Sequence, residues 1–370
     1  MLVDGKPMRS IWSTQAGGSV SIIDQTKLPH ELVIEQLHSL GDAAKAIATM
    51  AVRGAPLIGA TAAYGIALAA RADASDAGLA EASAVLTATR PTARNLKWAL
   101  DQMHTALIDL PIDQRVDVAY QRADAICEED IQINKAIGAH GLPLIQALAT
   151  AHPERPVNVL THCNAGWLAT VDWGTATAPL YLAHQSDIDL HIWVDETRPR
   201  SQGAALTAWE LGHQGISHHL ITDTSSGHLM QTGQVDLIIT GTDCVTATGD
   251  VCNKIGTYLV ALAASDNHIP MYVATPSPTI NWCLCDGRKE IPIEQRDEEE
   301  VTCMSGRTKA GQIERIRITP PTTSAMNYAF DVTPSRLITG LITERGLVEA
   351  SKEALSRVFS DAAANTQANP

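Results

Sequence analysis

Five short apolar runs in the second half of the chain constrain its fold more than any other feature: VNVLT (157–161), LHIWV (190–194), HHLIT (218–222), VDLIIT (235–240) and MYVAT (271–275). Each is of strand length, and the intervals leave room for a helix or a turn between them. That rhythm predicts a parallel sheet covered by helices. Every run ends in polar residues: THCN, DETRPR, DTSSG, GTDC and PSPT in order. Ligands of open parallel sheets bind beyond the carboxyl ends of the strands, so these tips are where function is to be sought.

The first half has a different pattern. SIWS (10–13) and SVSIID (19–24) predict short strands, and then segments with 3.6-residue apolar spacing follow one another. They are 28–40, 41–52, the Ala/Gly run 54–70, 95–110 and 114–141. AHPERP (151–156) interrupts this with two prolines. The expected architecture is therefore α/β, with a mainly helical N-terminal domain at 1–145 and a Rossmann-like catalytic domain at 146–370. ASKEALSRVFSD (350–361) predicts a surface helix near the C-terminus.

Charge and composition exclude several classes. A formal net charge of -14, with no Lys/Arg cluster, argues against a nucleic-acid partner. A small anion remains compatible, because two or three local cations and helix N-termini suffice to hold one phosphate. GAPLIGATAAYGIALAA is long enough to raise the question of a membrane span, but Ala and Gly rather than Leu, Ile and Phe make up its apolar content. A buried, tightly packed helix is expected instead, with no membrane association. The opening MLVDGKPMRSIW has neither a basic start nor an apolar core, so no signal peptide is expected there. The seven cysteines are scattered without a CxxC pair, a reduced, cytoplasmic pattern. Cys283, Cys285 and Cys303 fit no common zinc spacing.

Chemistry-bearing residues gather at the tips. Cys163 lies two residues past the first run, where the start of a helix would lower its thiol pKa; packing is the competing explanation. His162 is its neighbour, but adjacent residues of an extended segment point opposite ways, so no Cys-His dyad is implied. Asp243 follows the fourth run after Gly241, as either a turn aspartate or an acid facing the thiol. Asn253 and Lys254 are expected in the first turns of a helix, where a lysine is unfavourable without an anion. Arg53 and Gly54 precede a helix with Pro56 in its first turn; Arg90 and Arg94 precede another, and Gln202 with Gly203 begin a third. Several helix starts bearing Arg, Lys, Gln or Asn beside tips bearing Cys and Asp suggest a phosphorylated small molecule.

Six segments carry a resemblance that spans nearly the whole chain: RGAPLIGATAAYG, RPTARNLKWAL, THCNAGWLAT, DETRPRSQGAALTAWEL, GTDCVTATGDVCNKIGTY and FDVTPSRLITGLITERG. Together they are similar to the methylthioribose-1-phosphate isomerase family, which belongs with the regulatory subunits of the translation initiation guanine-exchange factor. The resemblance implies a homodimer with no metal or organic cofactor, converting 5-methylthioribose 1-phosphate to 5-methylthioribulose 1-phosphate in methionine salvage. It places the catalytic cysteine on Cys163 and the catalytic acid on Asp243. Substrate contacts fall on Arg53, Gly54, Ala55, Arg90, Gln202, Asn253 and Lys254.

Three positions depart from the family pattern. Arg94 stands at an expected apolar position and competes with Arg90, Cys244 follows the acid where many members carry arginine, and Tyr328 replaces a usual proline. Two rival readings remain at this level. One is a related isomerase for 5-deoxyribose 1-phosphate or ribose 1,5-bisphosphate. The other is a non-catalytic regulatory subunit binding a sugar phosphate or nucleotide.

Overall fold

The computed structural model describes residues 1–13 and 18–362. Its centre is a seven-stranded sheet in the order Gly346–Val348, Gly340–Thr343, Met271–Ala274, Leu237–Thr240, Val157–Thr161, Leu190–Asp195, His218–Ile221. All neighbours are parallel except the first pair. The five apolar runs are thus five adjacent strands. A sixth parallel strand, Gly340–Thr343, lies in the segment quoted as FDVTPSRLITGLITERG and was not expected from its pattern.

Side chains alternate across the sheet, and both faces are covered. Val157, Val159, Ile192 and Ile239 enter one core with Ile137, Leu180 and Tyr181. Leu160, Ile238 and Val273 enter the other with Val260, Ala261 and Leu355. Double burial explains why these strands read as nearly continuous apolar runs. The predicted helix near the C-terminus forms at Lys352–Val358 and contributes Leu355 to that second core.

The N-terminal part is built from α1 (Leu40–Ala48), α2 (Ala55–Ala70), α3 (Asp76–Thr89), α4 (Arg94–Leu107) and α5 (Ile112–Ala151). The Ala/Gly run is α2, and every residue of it but Pro56 is buried. Its small side chains allow close approach: a Cβ on Gly59 would lie 2.9 Å from the Asn95 carbonyl of α4. Among the described residues no helix is long and apolar enough to cross a membrane. Helix α5 is 40 residues long and runs through position 145, with Ile126 and Ile131 in the N-terminal core and Ile137 and Ile145 in the sheet's core.

One expected helix is a strand. In 28–40 the apolar residues do not mark a buried face, since Leu32 and Ile34 are exposed. Ile34–Leu37 instead pairs antiparallel with Val20–Ile23, which also pairs with Ile11–Ser13. Backbone pairing to a waiting edge outweighs the weak helical spacing.

Candidate active site

In chain order the parallel strands run 6-5-4-1-2-3 across the sheet, so the direction of winding reverses between Val157–Thr161 and Leu237–Thr240. Connections leave these two strands toward opposite sides and open a crevice there. Cys163 follows the first of them and Asp243 the second.

The Cys163 backbone is held in the left-handed region, at φ 67. A β-carbon makes this conformation costly, so its surroundings must enforce it. Two threonines do so. Thr197 Oγ1 accepts from Cys163 N at 2.8 Å, and Thr207 Oγ1 donates to Cys163 O at 2.7 Å. Thr197 is fixed in turn, its hydroxyl on Asp195 O at 3.0 Å and its own N–H on Asp223 at 2.7 Å. Asp243 is fixed by donors on one carbonyl: its N–H and the Thr242 hydroxyl both reach Cys252 O, at 3.0 and 2.8 Å.

Behind Cys163 lies a relay of buried polar groups. Glu210, fully buried, accepts from Leu168 N at 2.9 Å and Asn164 Nδ2 at 3.0 Å on one oxygen, and from Tyr181 OH at 2.8 Å and Trp167 N at 3.1 Å on the other. Asn164 uses its remaining groups on Arg53, whose guanidinium donates to both the Asn164 side-chain oxygen and its carbonyl, the latter at 2.8 Å. Gly54 caps α2 at φ 96 and packs on the Ala169 backbone, which fixes Arg53 and Ala55 on either side of it. A side chain at Gly54 would meet both strain and collision.

Lys254 is buried, lies over the Phe330 ring at 4.8 Å, and forms no ion pair with any described residue. Its position corrects the sequence reading. Asn253 and Lys254 belong to the strand Val251–Lys254, paired with Cys244–Thr246 and Phe330–Thr333, and the helix begins only at Thr257 after Gly256 at φ 106. Asn253 Nδ2 donates to Thr257 Oγ1 at 3.0 Å. Gln202 is buried with its side-chain oxygen unpartnered. It lines, with Arg53, a cavity of ≈ 750 Å³ that also takes in Met50, Leu206, Met304 and Ile313.

Electrostatics draw five of the expected residues together. Burial pushes the Asp243 carboxyl above its ordinary pKa against the pull of Lys254, Arg53 and Arg90. Burial likewise raises the Cys163 thiol, against Arg53 and Lys254. The lowered thiol expected from a helix start is therefore corrected: the segment after Cys163 forms only a short turn at Trp167–Ala169, and desolvation dominates. Lys254 is lowered by burial, with Cys163 and Asp243 opposing. Arg90 faces this group and pairs with Glu294 at 3.2 Å, whereas Arg94 acts on Cys244. Tyr328 is exposed.

Sequence reasoning missed Glu210, Asn164, Thr197 and Thr207, which hold the named residues in place. One signal was available for Glu210. It lies four residues after Leu206 on the buried face of its helix, where a carboxylate requires several donors.

Comparison with known proteins agrees with this architecture. The Initiation factor 2 subunit family matches residues 51–350. The methylthioribose-1-phosphate isomerase of Rhodospirillum rubrum is 59% identical over 368 residues, covering 98% of this chain and 94% of that protein. The enzyme of the same name from Paramagnetospirillum magneticum is 60% identical over 363 residues, covering 98% and 100%. Among solved structures, 5-methylthioribose 1-phosphate isomerase from Pyrococcus horikoshii superposes with a TM-score of 0.81 at 38% identity, covering 96% of this chain and 97% of that one. The chain belongs to the initiation factor 2 subunit family and, within it, to the methylthioribose-1-phosphate isomerases.

Proposed function

We propose that the crevice between the tips bearing Cys163 and Asp243 is where this chain isomerises 5-methylthioribose 1-phosphate to 5-methylthioribulose 1-phosphate, an intramolecular oxidoreduction of methionine salvage. The observation that carries the assignment is a thiol and a carboxyl on the two strands of the topological switch point, within electrostatic reach of Arg53 and Lys254. Arg53, Arg90 and Lys254 hold the phosphate, with Gln202 and Asn253 on the sugar hydroxyls and the Gly54–Ala55 backbone at the start of α2 beside them.

The phosphate on the anomeric oxygen blocks simple ring opening to an aldehyde. Asp243, its pKa raised by burial, donates its proton to the ring oxygen as the C1–O bond breaks, leaving positive charge at C1 shared with the phosphate oxygen. Hydrogen then moves from C2 to C1. In the hydride route the electron pair travels with it, the C2 hydroxyl becomes a carbonyl, and its proton returns to the Asp243 carboxylate, so the reaction balances without a co-reactant. In the proton route a Cys163 thiolate removes the C2 proton to leave an enol and returns it to C1, while the C2 hydroxyl proton goes back to the Asp243 carboxylate. Burial that holds Cys163 as a thiol favours the first route, with Cys163 stabilising its transition state.

The cavity favours a neutral apolar group at C5 over a second phosphate. Apart from Arg53, its arginines are already engaged: Arg200 with Glu300 at 2.8 Å, Arg315 with Glu299 at 2.9 Å, and Arg198 with the Val301 carbonyl at 2.7 Å. Met50, Leu206 and Met304 supply apolar surface. The test is turnover of the 5-methylthio, 5-deoxy and 5-phospho ribose 1-phosphates by wild type, Cys163→Ser and Asp243→Asn. The methylthio compound is expected to have the highest kcat/KM, with large losses in both variants. Near-wild-type turnover in either variant removes that residue from the mechanism. Solvent deuterium at C1 of the product supports the proton route. A cytoplasmic homodimer completes the reading, and light scattering of the purified protein checks its assembly.

A further inference from the structure

His162, in the THCN segment, is a side chain to which the chemistry above gives no role. His162 is fully buried, and both of its ring nitrogens face acceptors: Nδ1 lies 2.9 Å from Asp195 Oδ2, and Nε2 lies 2.9 Å from the Ile255 carbonyl. A carbonyl only accepts, so Nε2 carries hydrogen. Nδ1 and Asp195 then share a proton. Burial works against the imidazolium, but Asp195 and the Ile255 carbonyl outweigh it and raise the His162 pKa. Asp223 lies close by, and its oxygens already accept from the N–H groups of Thr197 and Arg198.

Ile255 is the residue after Lys254. The turn it begins is gripped from two sides. Asp331 accepts from Gly256 N at 2.8 Å and from Tyr258 N at 3.1 Å, while the Gly256 Cα packs on the His162 ring so closely that a Cβ would lie 2.8 Å from Cε1. Lys254 itself has no ion pair among the described residues, so the backbone that carries it, together with the Phe330 ring, sets where its ammonium points.

We propose that His162 is a positioning residue: its Nε2–H, oriented by Asp195, pins the Ile255 carbonyl and thereby sets where Asn253 and Lys254 meet the substrate. The proposal rests on the function given above for Asn253 and Lys254. It assigns His162 to the placement of the phosphate-binding strand end, and its contribution falls on substrate binding more than on the chemical step.

Two variants separate the ring's two contacts. His162→Gln places an amide N–H within reach of the Ile255 carbonyl, and His162→Asn is too short for it. H162N is expected to raise KM for 5-methylthioribose 1-phosphate by about tenfold, the value of one lost hydrogen bond near the reacting group, with a smaller change in kcat. H162Q is expected to recover most of the loss. Asp195→Asn, which leaves a neutral imidazole still donating to Ile255, should resemble H162Q. In a Lys254→Met background the KM cost of H162N should shrink, leaving the share carried by Asn253. Amide exchange of the 251–258 segment should accelerate in H162N and not in H162Q, and this measurement does not depend on turnover.

An unchanged KM in H162N, a cost of equal size in H162Q or D195N, or an undiminished cost in the Lys254→Met background would each overturn the proposal. So would unaltered exchange of 251–258 in H162N. Wild type lacking turnover of every 5-substituted ribose 1-phosphate would instead overturn the functional reading, leaving the exchange measurement to judge the pin.

Discussion

Glu210→Gln probes the relay behind the thiol with a change of one atom. Each Glu210 oxygen accepts two donors, Asn164 Nδ2 and Leu168 N on one, Trp167 N and Tyr181 OH on the other. An amide has one oxygen. If its nitrogen faces the second pair, the Tyr181 hydroxyl can turn to accept, but the Trp167 N–H meets another N–H. If the amide is flipped, the Leu168 N–H is orphaned and Asn164 must turn away, releasing Arg53. Either way a buried backbone N–H loses its acceptor, at a cost of about 1–3 kcal/mol, and the remaining bonds lose their charge assistance. One term opposes this: burial raises the Glu210 pKa, so removing the charge recovers part of its desolvation.

The expected net is a loss of about 2 kcal/mol of stability, read from the urea midpoint at constant m. Turnover should fall further than stability explains. Asn164 is the group that aims Arg53, through contacts at its side chain and its carbonyl, and a displaced guanidinium weakens the proposed phosphate clamp. At temperatures where E210Q is fully folded, kcat/KM is expected to drop by about tenfold or more. A variant with the wild-type urea midpoint would refute the donor count. A destabilised variant with unchanged kcat/KM would show that Glu210 holds the loop without aiming Arg53.

Two further predictions concern the scaffold. Thr197→Val removes the oxygen that accepts from Cys163 N, so the strained Cys163 backbone relaxes and kcat falls, whereas Cys163 N remains protected from exchange in wild type. Glu300 predicts acid sensitivity: burial opposes its charge, but Arg296 and Arg200 outweigh this and hold its carboxyl at about 2, below the ordinary 4.5. Its contribution is present above the unfolded value and disappears as pH falls from 4.5 toward 2, so the urea midpoint should drop over that window and drop less in Glu300→Gln.

The sheet was legible because both faces are buried and each run therefore advertises itself locally. The sixth parallel strand was not, since GLIT sits within a continuous stretch, SRLITGLITERG, whose apolar residues suit a helix or a strand equally. Turn residues before VCNK suggested a helix start, but pairing with Phe330–Thr333, distant in sequence, drew Asn253 and Lys254 into a strand. The same limit applies to the site. Cys163, Asp243, Arg53 and Lys254 stand out as polar residues at the ends of patterned segments. The groups that hold them do not, because Asn164 meets Arg53 from 111 residues away and Glu210 from 46. Local pattern picks out candidate residues at the ends of segments; only the folded chain shows what aims them.

The balance of forces on Asp243 leads to a last prediction. In the free site burial raises its pKa while Lys254, Arg53 and Arg90 pull it down. Those same cations are the proposed phosphate clamp. A bound phosphate dianion neutralises their pull and adds a like charge, and a closed site sheds water, so every remaining term favours the protonated carboxyl. Substrate would thus arm the acid that opens its own ring. The sign follows directly: a raised pKa preserves the proton to higher pH, and activity is lost as pH rises through it. Because kcat/KM reports the free enzyme and kcat the complex, the alkaline limb assigned to Asp243 should lie at higher pH in kcat than in kcat/KM. Asp243→Glu is the companion variant, expected to retain a limb where Asp243→Asn has none. Limbs that coincide in the two profiles would mean that the phosphate does not rest on the cations facing Asp243, and the clamp would have to be sought elsewhere in the cavity.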